Sequence, residues 1–309
     1  MEAGVTMRAT SFIQPFLALV LSPLMLGVIN RTKAWFAGRR GPPVLQAYYD
    51  LSKLLRKGAV YSRTTTWVFR AGPIVGLAAV LEATALVPLG GTPAPLAFAG
   101  DLVLLAYVLG LMRFFTVTAA LDTGSSLEGM GASREVTFSA LAEPALLLGL
   151  AAVARLTGSL SLSGMSAAMS LETWRQAGPV LALVTAALMV VLLAENARLP
   201  VDDPNTHLEL TMIHEVMALD HSGPDLAFIL YGAGLKLWVL AALLVGLVLP
   251  VRTGNAWLDI GAGLGAMFAV VVAVGVVESS MARLRLLRVP QLLVGAGALA
   301  ALALILTLR

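Results

Sequence analysis

No cysteine occurs anywhere in the 309 residues. Thiolate-held iron-sulfur clusters, nickel-iron centres and disulfides therefore cannot be built from this chain, and any redox chemistry it serves belongs to other proteins. Charge is scarce too: 13% of residues are Asp, Glu, Lys or Arg, against 58% hydrophobic, where soluble domains carry about a quarter charged. That balance excludes a water-soluble domain and predicts an integral membrane protein. The formal net charge of +3 is too small to draw nucleic acid. GxxxxGK is missing, so there is no phosphate loop, and His214-Glu215 is no zincin motif because Ala218 stands where the second histidine is required. His207, His214 and His221 recur every seven residues and share a helical face. Neighbours would lie about 10 Å apart along the axis, too far to share one metal ion at about 2 Å. The chain is expected to hold no metal and no catalytic centre of its own. No internal repeat or pair of broken helices of the secondary-transporter kind is visible.

What the sequence has is apolar length. Stretches able to cross a roughly 30 Å hydrocarbon core lie near residues 10–30, 68–89, 101–121, 136–157, 178–195, 225–250, 256–277 and 289–308. The expected fold class is an all-α integral membrane protein of eight transmembrane helices, forming a single polytopic domain over residues 1–309. The first span shows no obvious small-residue cleavage site and is expected to be retained. Fifteen of the 21 Lys and Arg residues fall in or beside the odd-numbered connections, and five fall on the other face. The positive-inside rule then predicts cytoplasmic loops at 31–67, 122–135, 196–224 and 279–288, with both termini extracytoplasmic.

The polar island at 195–225 stands out. Seven of the 18 acidic residues and all three histidines fall in it. Asp203-Pro204, the spacing of Thr206 and Glu209, and the stop at Gly223-Pro224 predict a helix of about sixteen residues, roughly 24 Å long. Leu208, Met212, Val216 and Leu219 would form one apolar face, and Leu210, Ile213 and Met217 a second, with Glu209 and Asp220 in the seam. Such a segment should fold back into protein, where a carboxylate between apolar faces is paired, protonated or part of a path.

The first loop differs in kind. After Pro42 and Pro43, the spacing of Val44, Leu45, Tyr48, Leu51, Leu54 and Leu55 predicts an amphipathic interfacial helix, with Lys53, Arg56 and Lys57 on or beside its polar side. Anchorage to membrane lipid and docking of a soluble partner both remain open for it. The glycine-rich stretch from Leu121 to Glu135 is expected to be a flexible connector.

Ionisable residues inside the spans are functional candidates, because burying a charge in a bilayer costs several kcal/mol unless it is paired or hydrated. They are Glu82, Glu143, Lys236 and Glu278, with Glu143 and Lys236 an expected pair. Arg113 ranks lowest because a residue near a helix end can snorkel. Glu82, Glu143, Glu209, Glu215 and Asp220, with water, form a candidate proton path.

A GRxGP loop after the first helix and an acidic Pro-Asp island after the fifth resemble the subunit 1 family of respiratory complex I. The matching positions are Gly38, Arg39, Gly41 and Pro42, then Glu195, Arg198, Pro200, Asp202, Pro204, Glu209 and Leu210. The island ARLPVDDPNTHLELTMIHEVMALDHSG and the connector DTGSSLEGMGASRE are similar to the membrane subunit of energy-converting nickel-iron hydrogenases of the formate hydrogenlyase and hydrogenase-4 type. Asn205, His207 and Pro43 depart from the complex I pattern in the region that lines its quinone chamber, which puts quinone binding in doubt.

The resemblance implies a membrane-anchoring and proton-path subunit of an oxidoreductase complex, in a prokaryotic inner membrane. Glu195, Asp202, Asp203 and Lys236 join the path. Gly38, Arg39, Gly41, Pro42 and Arg198 form a docking or quinone-like loop. The implied partners are a nickel-iron hydrogenase-like large subunit and iron-sulfur subunits on the cytoplasmic face, plus antiporter-like membrane subunits. The nickel-iron centre and iron-sulfur clusters would sit in those partners. A quinone-site subunit of an NADH-quinone oxidoreductase-like complex and a stand-alone ion transporter remain as alternatives.

Overall fold

A computed structural model describes residues 9–202, 212–250 and 253–308. Ten α-helices follow in order: α1 (Ile13–Phe36), α2 (Gln46–Leu55), α3 (Trp67–Leu86), α4 (Asp101–Asp122), α5 (Ser126–Thr157), α6 (Leu162–Ala168), α7 (Leu171–Glu195), α8 (Gly223–Val248), α9 (Ala256–Ser280) and α10 (Val289–Leu306). Eight of them are long and apolar enough to cross a membrane, and they match the eight expected spans. Among the described residues no strand is present. α3 packs along α4, α10 against α5 and α7, and α1 against α9 and α8. α8 is the most enclosed span, with Trp238 fully buried at its middle.

Proline and glycine positions set how the helices meet. Pro23 has no N–H to give the carbonyl of Leu19, and the Tyr231 hydroxyl of α8 donates to that carbonyl at 2.8 Å. The Tyr48 hydroxyl of α2 donates to the neighbouring carbonyl of Val20. A Cβ on Gly27 would lie 1.9 Å from the carbonyl oxygen of Val44, so only glycine lets the segment leading into α2 lie against α1. The expected helix in the first loop is therefore present as α2, although none of its residues is fully buried.

Two expectations change. Ser126–Glu135 is no flexible connector: it is the first part of the 32-residue α5, and only Thr123–Ser125 separates that helix from α4. Gly131 serves close approach rather than flexibility, since an added Cβ would lie 2.3 Å from a Val216 methyl and 3.0 Å from the Ile213 carbonyl. Nor do residues 212–222, the described part of the expected acidic helix, form an α-helix. Asp203, Pro204, Thr206, His207, Glu209 and Leu210 lie outside the described residues, and the remainder holds only a 3-10 turn at Glu215–Ala218. The reason lies in who satisfies its backbone. Asp202 accepts from the Ile213 N–H at 2.9 Å, Glu128 accepts from the Asp220 N–H at 3.0 Å, and Arg134 donates to the Met212 carbonyl at 2.9 Å. Side chains of neighbouring elements thus supply bonds that a helix would have made within itself. The segment does fold back as expected: Met212, Ile213, Val216 and Met217 are buried, while Leu219 is exposed.

Replacing Gly131 by leucine should overpack this contact and destabilise the protein by about 1–3 kcal/mol, read as a lowered unfolding midpoint in detergent. Substituting the solvent-facing Gly124 instead would not probe this contact. An unchanged midpoint in Gly131→Leu would show that the loop does not bear on α5.

Candidate functional site: a buried arginine-carboxylate cluster

Arg113 of α4 is the centre. Its side chain is 10% exposed and reaches three carboxylates from two helices: Glu135 at 3.2 Å, Glu143, and both oxygens of Glu195 at 2.7 and 2.8 Å. Glu135 and Glu143 both lie on α5, eight residues apart and so on one face. Glu195 is the last residue of α7. Lys236 of α8 closes the group, with Nζ 2.7 Å from Glu195 Oε2. The guanidinium fork suits this work because it offers donors in several directions and keeps its charge when buried.

The formal count is informative. Three carboxylates (Glu135, Glu143, Glu195) meet two fixed cations (Arg113, Lys236), which leaves one negative charge. His214, from the loop, sits with Nε2 at 3.1 Å from Glu135 Oε2. Protonation of His214 or of one carboxyl group would neutralise the cluster. A small cavity beside it is lined by Glu135, Ser139, Glu195 and His214 and has room for about one water molecule. The His214 Nδ1 is buried there and makes no hydrogen bond. The side chain of Glu143 is 47% exposed, so the cluster opens on the outer surface of α5.

Further ion pairs hold the adjoining loop. Glu278, whose side chain is fully buried, meets Lys33 at 2.7 Å and Arg198 at 3.4 Å. Asp202 meets Arg283 at 2.7 Å. Removing one partner of a buried pair costs about 3–5 kcal/mol because the other charge is stranded. The loop between α7 and α8 is thus fixed at Arg198 and Asp202 and delivers His214 to the cluster.

The expected site residues separate into groups. Glu143, Glu195 and Lys236 come together, but Glu143 does not pair with Lys236; both join through Arg113 and Glu195. Arg113, ranked lowest as a snorkelling residue, is the hub, because three carboxylates reach its depth and it has no need to reach water. Glu82 is exposed on α3, makes no ion pair among the described residues and stands apart. Asp220 is exposed, Glu215 is partly buried on the 3-10 turn, and Asp202 pairs with Arg283. Asp203 and Glu209 lie outside the described residues. Arg39 and Pro42 are exposed, Gly38 has a φ of +63°, and Gly41 packs on Ala34. Sequence reasoning missed Glu135 and His214. Glu135 was hidden by the connector reading, and eight-residue spacing to Glu143 on a continuous helix was the signal.

A second junction joins the loops. The His221 ring stacks on Phe69 with centroids 3.9 Å apart and planes 7° off parallel. Ser222 Oγ accepts from the Val60 N–H at 3.0 Å, and the Arg70 guanidinium lies 4.3 Å over the Tyr61 ring. Burial pushes the His221 imidazole below its ordinary range, opposed by Asp225 and Asp220. Burial, then Asp225, raises the Tyr61 hydroxyl.

Residues 8–308 match the family described as NADH dehydrogenase. The chain is 34% identical to formate hydrogenlyase subunit 4 of Escherichia coli (strain K12), over 89% of this chain and 90% of that protein. It is 35% identical to hydrogenase-4 component C of the same organism, over 77% and 74%. An NADH-quinone oxidoreductase subunit of Anaplasma phagocytophilum (strain HZ) is 26% identical over 73% and 74%. Among solved structures, a chain of the membrane-bound sulfane sulfur reductase, an archaeal respiratory membrane complex, superposes with a TM-score of 0.81. It shares 20% identity, and 96% of this chain and 98% of that one are covered.

Arg113→Leu should strand buried Glu135 and Glu195 and cost about 3–5 kcal/mol, with Arg113→Lys milder because the fork is lost but the charge remains. Unfolding midpoints in detergent would check the order. For His221 the folded imidazole binds its proton less readily than the unfolded one. Its stabilisation is therefore complete above about pH 6.5 and declines as pH falls below that value. Amide protection across 219–223, taken relative to the intrinsic exchange rate at each pH, should fall on acidification in the native protein and stay level in His221→Gln.

Proposed function

The chain belongs to the complex I subunit 1-like family of multi-pass membrane proteins, and from that footing we propose that it is the membrane-anchoring and proton-path subunit of a formate hydrogenlyase or hydrogenase-4 type complex. The observation that carries this reading is the Arg113 cluster: three carboxylates, two of them buried, with two fixed cations, beside a water-sized cavity and touched by a loop histidine. It holds one more carboxylate than its fixed cations neutralise, so one added proton brings it to formal neutrality.

The loop 196–222 and the loop carrying Gly38, Arg39, Gly41 and Pro42 face the cytoplasm, and both termini lie on the other side. A soluble arm docks there, with a nickel-iron large subunit and iron-sulfur subunits that carry all the metal centres. Electron transfer in that arm shifts the charge next to the loop. Because the loop is pinned at Arg198 and Asp202, the shift reaches His214 and moves its proton relative to Glu135. Glu195 and Lys236 hold the proton's counter-charge within the cluster, and the exposed side of Glu143 hands it to an antiporter-like membrane partner. α2, with exposed Tyr49, Leu55, Lys53 and Arg56, lies in the lipid interface.

Gentle solubilisation of the tagged protein from its native membrane should bring nickel and iron with a hydrogenase-like large subunit. Iron without nickel, together with quinone reduction, would point to a quinone-reactive complex instead, and a clean single chain to a lone transporter. In vesicles holding the assembled complex, Glu195→Gln should cut the ion gradient per turnover about tenfold while hydrogen chemistry in the soluble arm continues. A full gradient in that variant would sink the proton-path role.

A further inference from the structure

The seam between α1 and α8 carries hydrogen-bonding groups that nothing in the proton-path reading uses. Gln14 of α1 is 1% exposed and neither its amide oxygen nor its nitrogen has a partner. Ser22, two turns further along α1, is 0% exposed with its hydroxyl unpartnered. Trp238 of α8 is 0% exposed with its indole N–H unpartnered. The buried residues beside them in sequence are apolar, including Ala18, Met25, Ala241 and Ala242.

The helix register strings the three along one seam. A Cβ on Gly234 of α8 would lie 3.5 Å from the Ser22 carbonyl oxygen, so those two residues face each other. Trp238 is one turn beyond Gly234 on the same face of α8, and Gln14 lies two turns from Ser22 on the same face of α1. α1 also runs alongside α9, where Lys33 meets Glu278 and Thr32 meets Gly275, which places Gln14 near the start of α9 at the opposite end of the bundle. Ser11, 2% exposed, continues the line towards that end.

Folded proteins rarely leave a buried amide, hydroxyl and indole N–H all unbonded, and at membrane depth no bulk solvent substitutes. Internal water is the ordinary partner for such groups. We infer that the α1–α8 seam holds a file of internal water running from the level of Ser22 past Trp238 to Gln14, opening at the bundle end away from the loops. This rests on the proton-path reading for its purpose, which is to give the cluster a hydrated connection towards the extracytoplasmic face. The water itself does not depend on that reading. Lys236 stands two residues from both Gly234 and Trp238 on α8 and turns to Glu195 on the other side of the helix, so the helix separates cluster and file until one side chain swings.

Two measurements test it on the assembled complex. Radiolytic hydroxyl-radical labelling marks side chains that touch bound water. Trp238, fully buried, should be labelled, whereas Trp238 left unmarked would overturn the file. In proteoliposomes, Gln14→Leu combined with Trp238→Phe should lower the gradient formed per turnover at least about fivefold with turnover retained. An undiminished gradient would refute the path role of the file even with labelling intact. Glu195→Gln run alongside separates the cases. If Glu195→Gln keeps its gradient the cluster's role falls, and labelling of Trp238 still decides the water.

Discussion

A guanidinium placed among three carboxylates inside an apolar bundle is the constraint to which the other elements answer. Moving Arg113 out of water costs several kcal/mol, recovered only when partners come close and in the right directions. Glu135 and Glu143 must share a face of α5, so α5 has to be continuous through its glycines. Glu195 must end α7 at the same depth, and α8 must present Lys236 to it. Four helices are thereby held in register by one side chain and its partners, and a shift of any of them would expose a charge to hydrocarbon.

The loop between α7 and α8 follows the same logic by other means. Its described part has almost no regular structure of its own, yet Met212, Ile213, Val216 and Met217 are buried and its backbone is bonded by Asp202, Glu128 and Arg134. A segment held by side chains from elsewhere moves when those side chains change charge, in a way that a self-bonded helix would not. On the proposed function, this gives the loop a physical means of sensing a docked partner and of reporting through His214, whose ring touches Glu135. The stack of His221 on Phe69 and the bond from Val60 to Ser222 tie the same loop to the segment after α2. Both connections on that face are thus mechanically joined.

Much of this was legible in the sequence. Apolar length alone gave the eight spans and their order, because no other backbone arrangement of such segments satisfies its polar groups in lipid. The GRxGP loop and the Pro-Asp island carried the family. Glu143 and Lys236 were found because a charge in an apolar run is conspicuous, and Glu195 through the resemblance. Pairing was not legible: which carboxylate meets which cation depends on the rotation of helices about their axes, and that is set by contacts such as Gly131 on Ile213 and Gly27 on Val44. Composition misled at Leu121–Glu135, where Gly131, read as flexibility, serves close packing. In the island, local capping signals predicted a helix of about sixteen residues before Gly223-Pro224, and in its described part, 212–222, distant side chains bond the backbone instead. Arg113 was undervalued because its distance from the helix end was judged without the partners that reach it.

The central claim is that one proton is gained or lost by the Arg113 cluster during turnover. Redox-triggered infrared difference spectroscopy on the assembled complex reads carboxyl protonation directly. A carboxylic-acid carbonyl band that appears or vanishes with the redox step, and is shifted or abolished in Glu135→Gln or Glu195→Gln, is the predicted result. A difference spectrum without any such band, or with one that both variants leave untouched, would contradict the account.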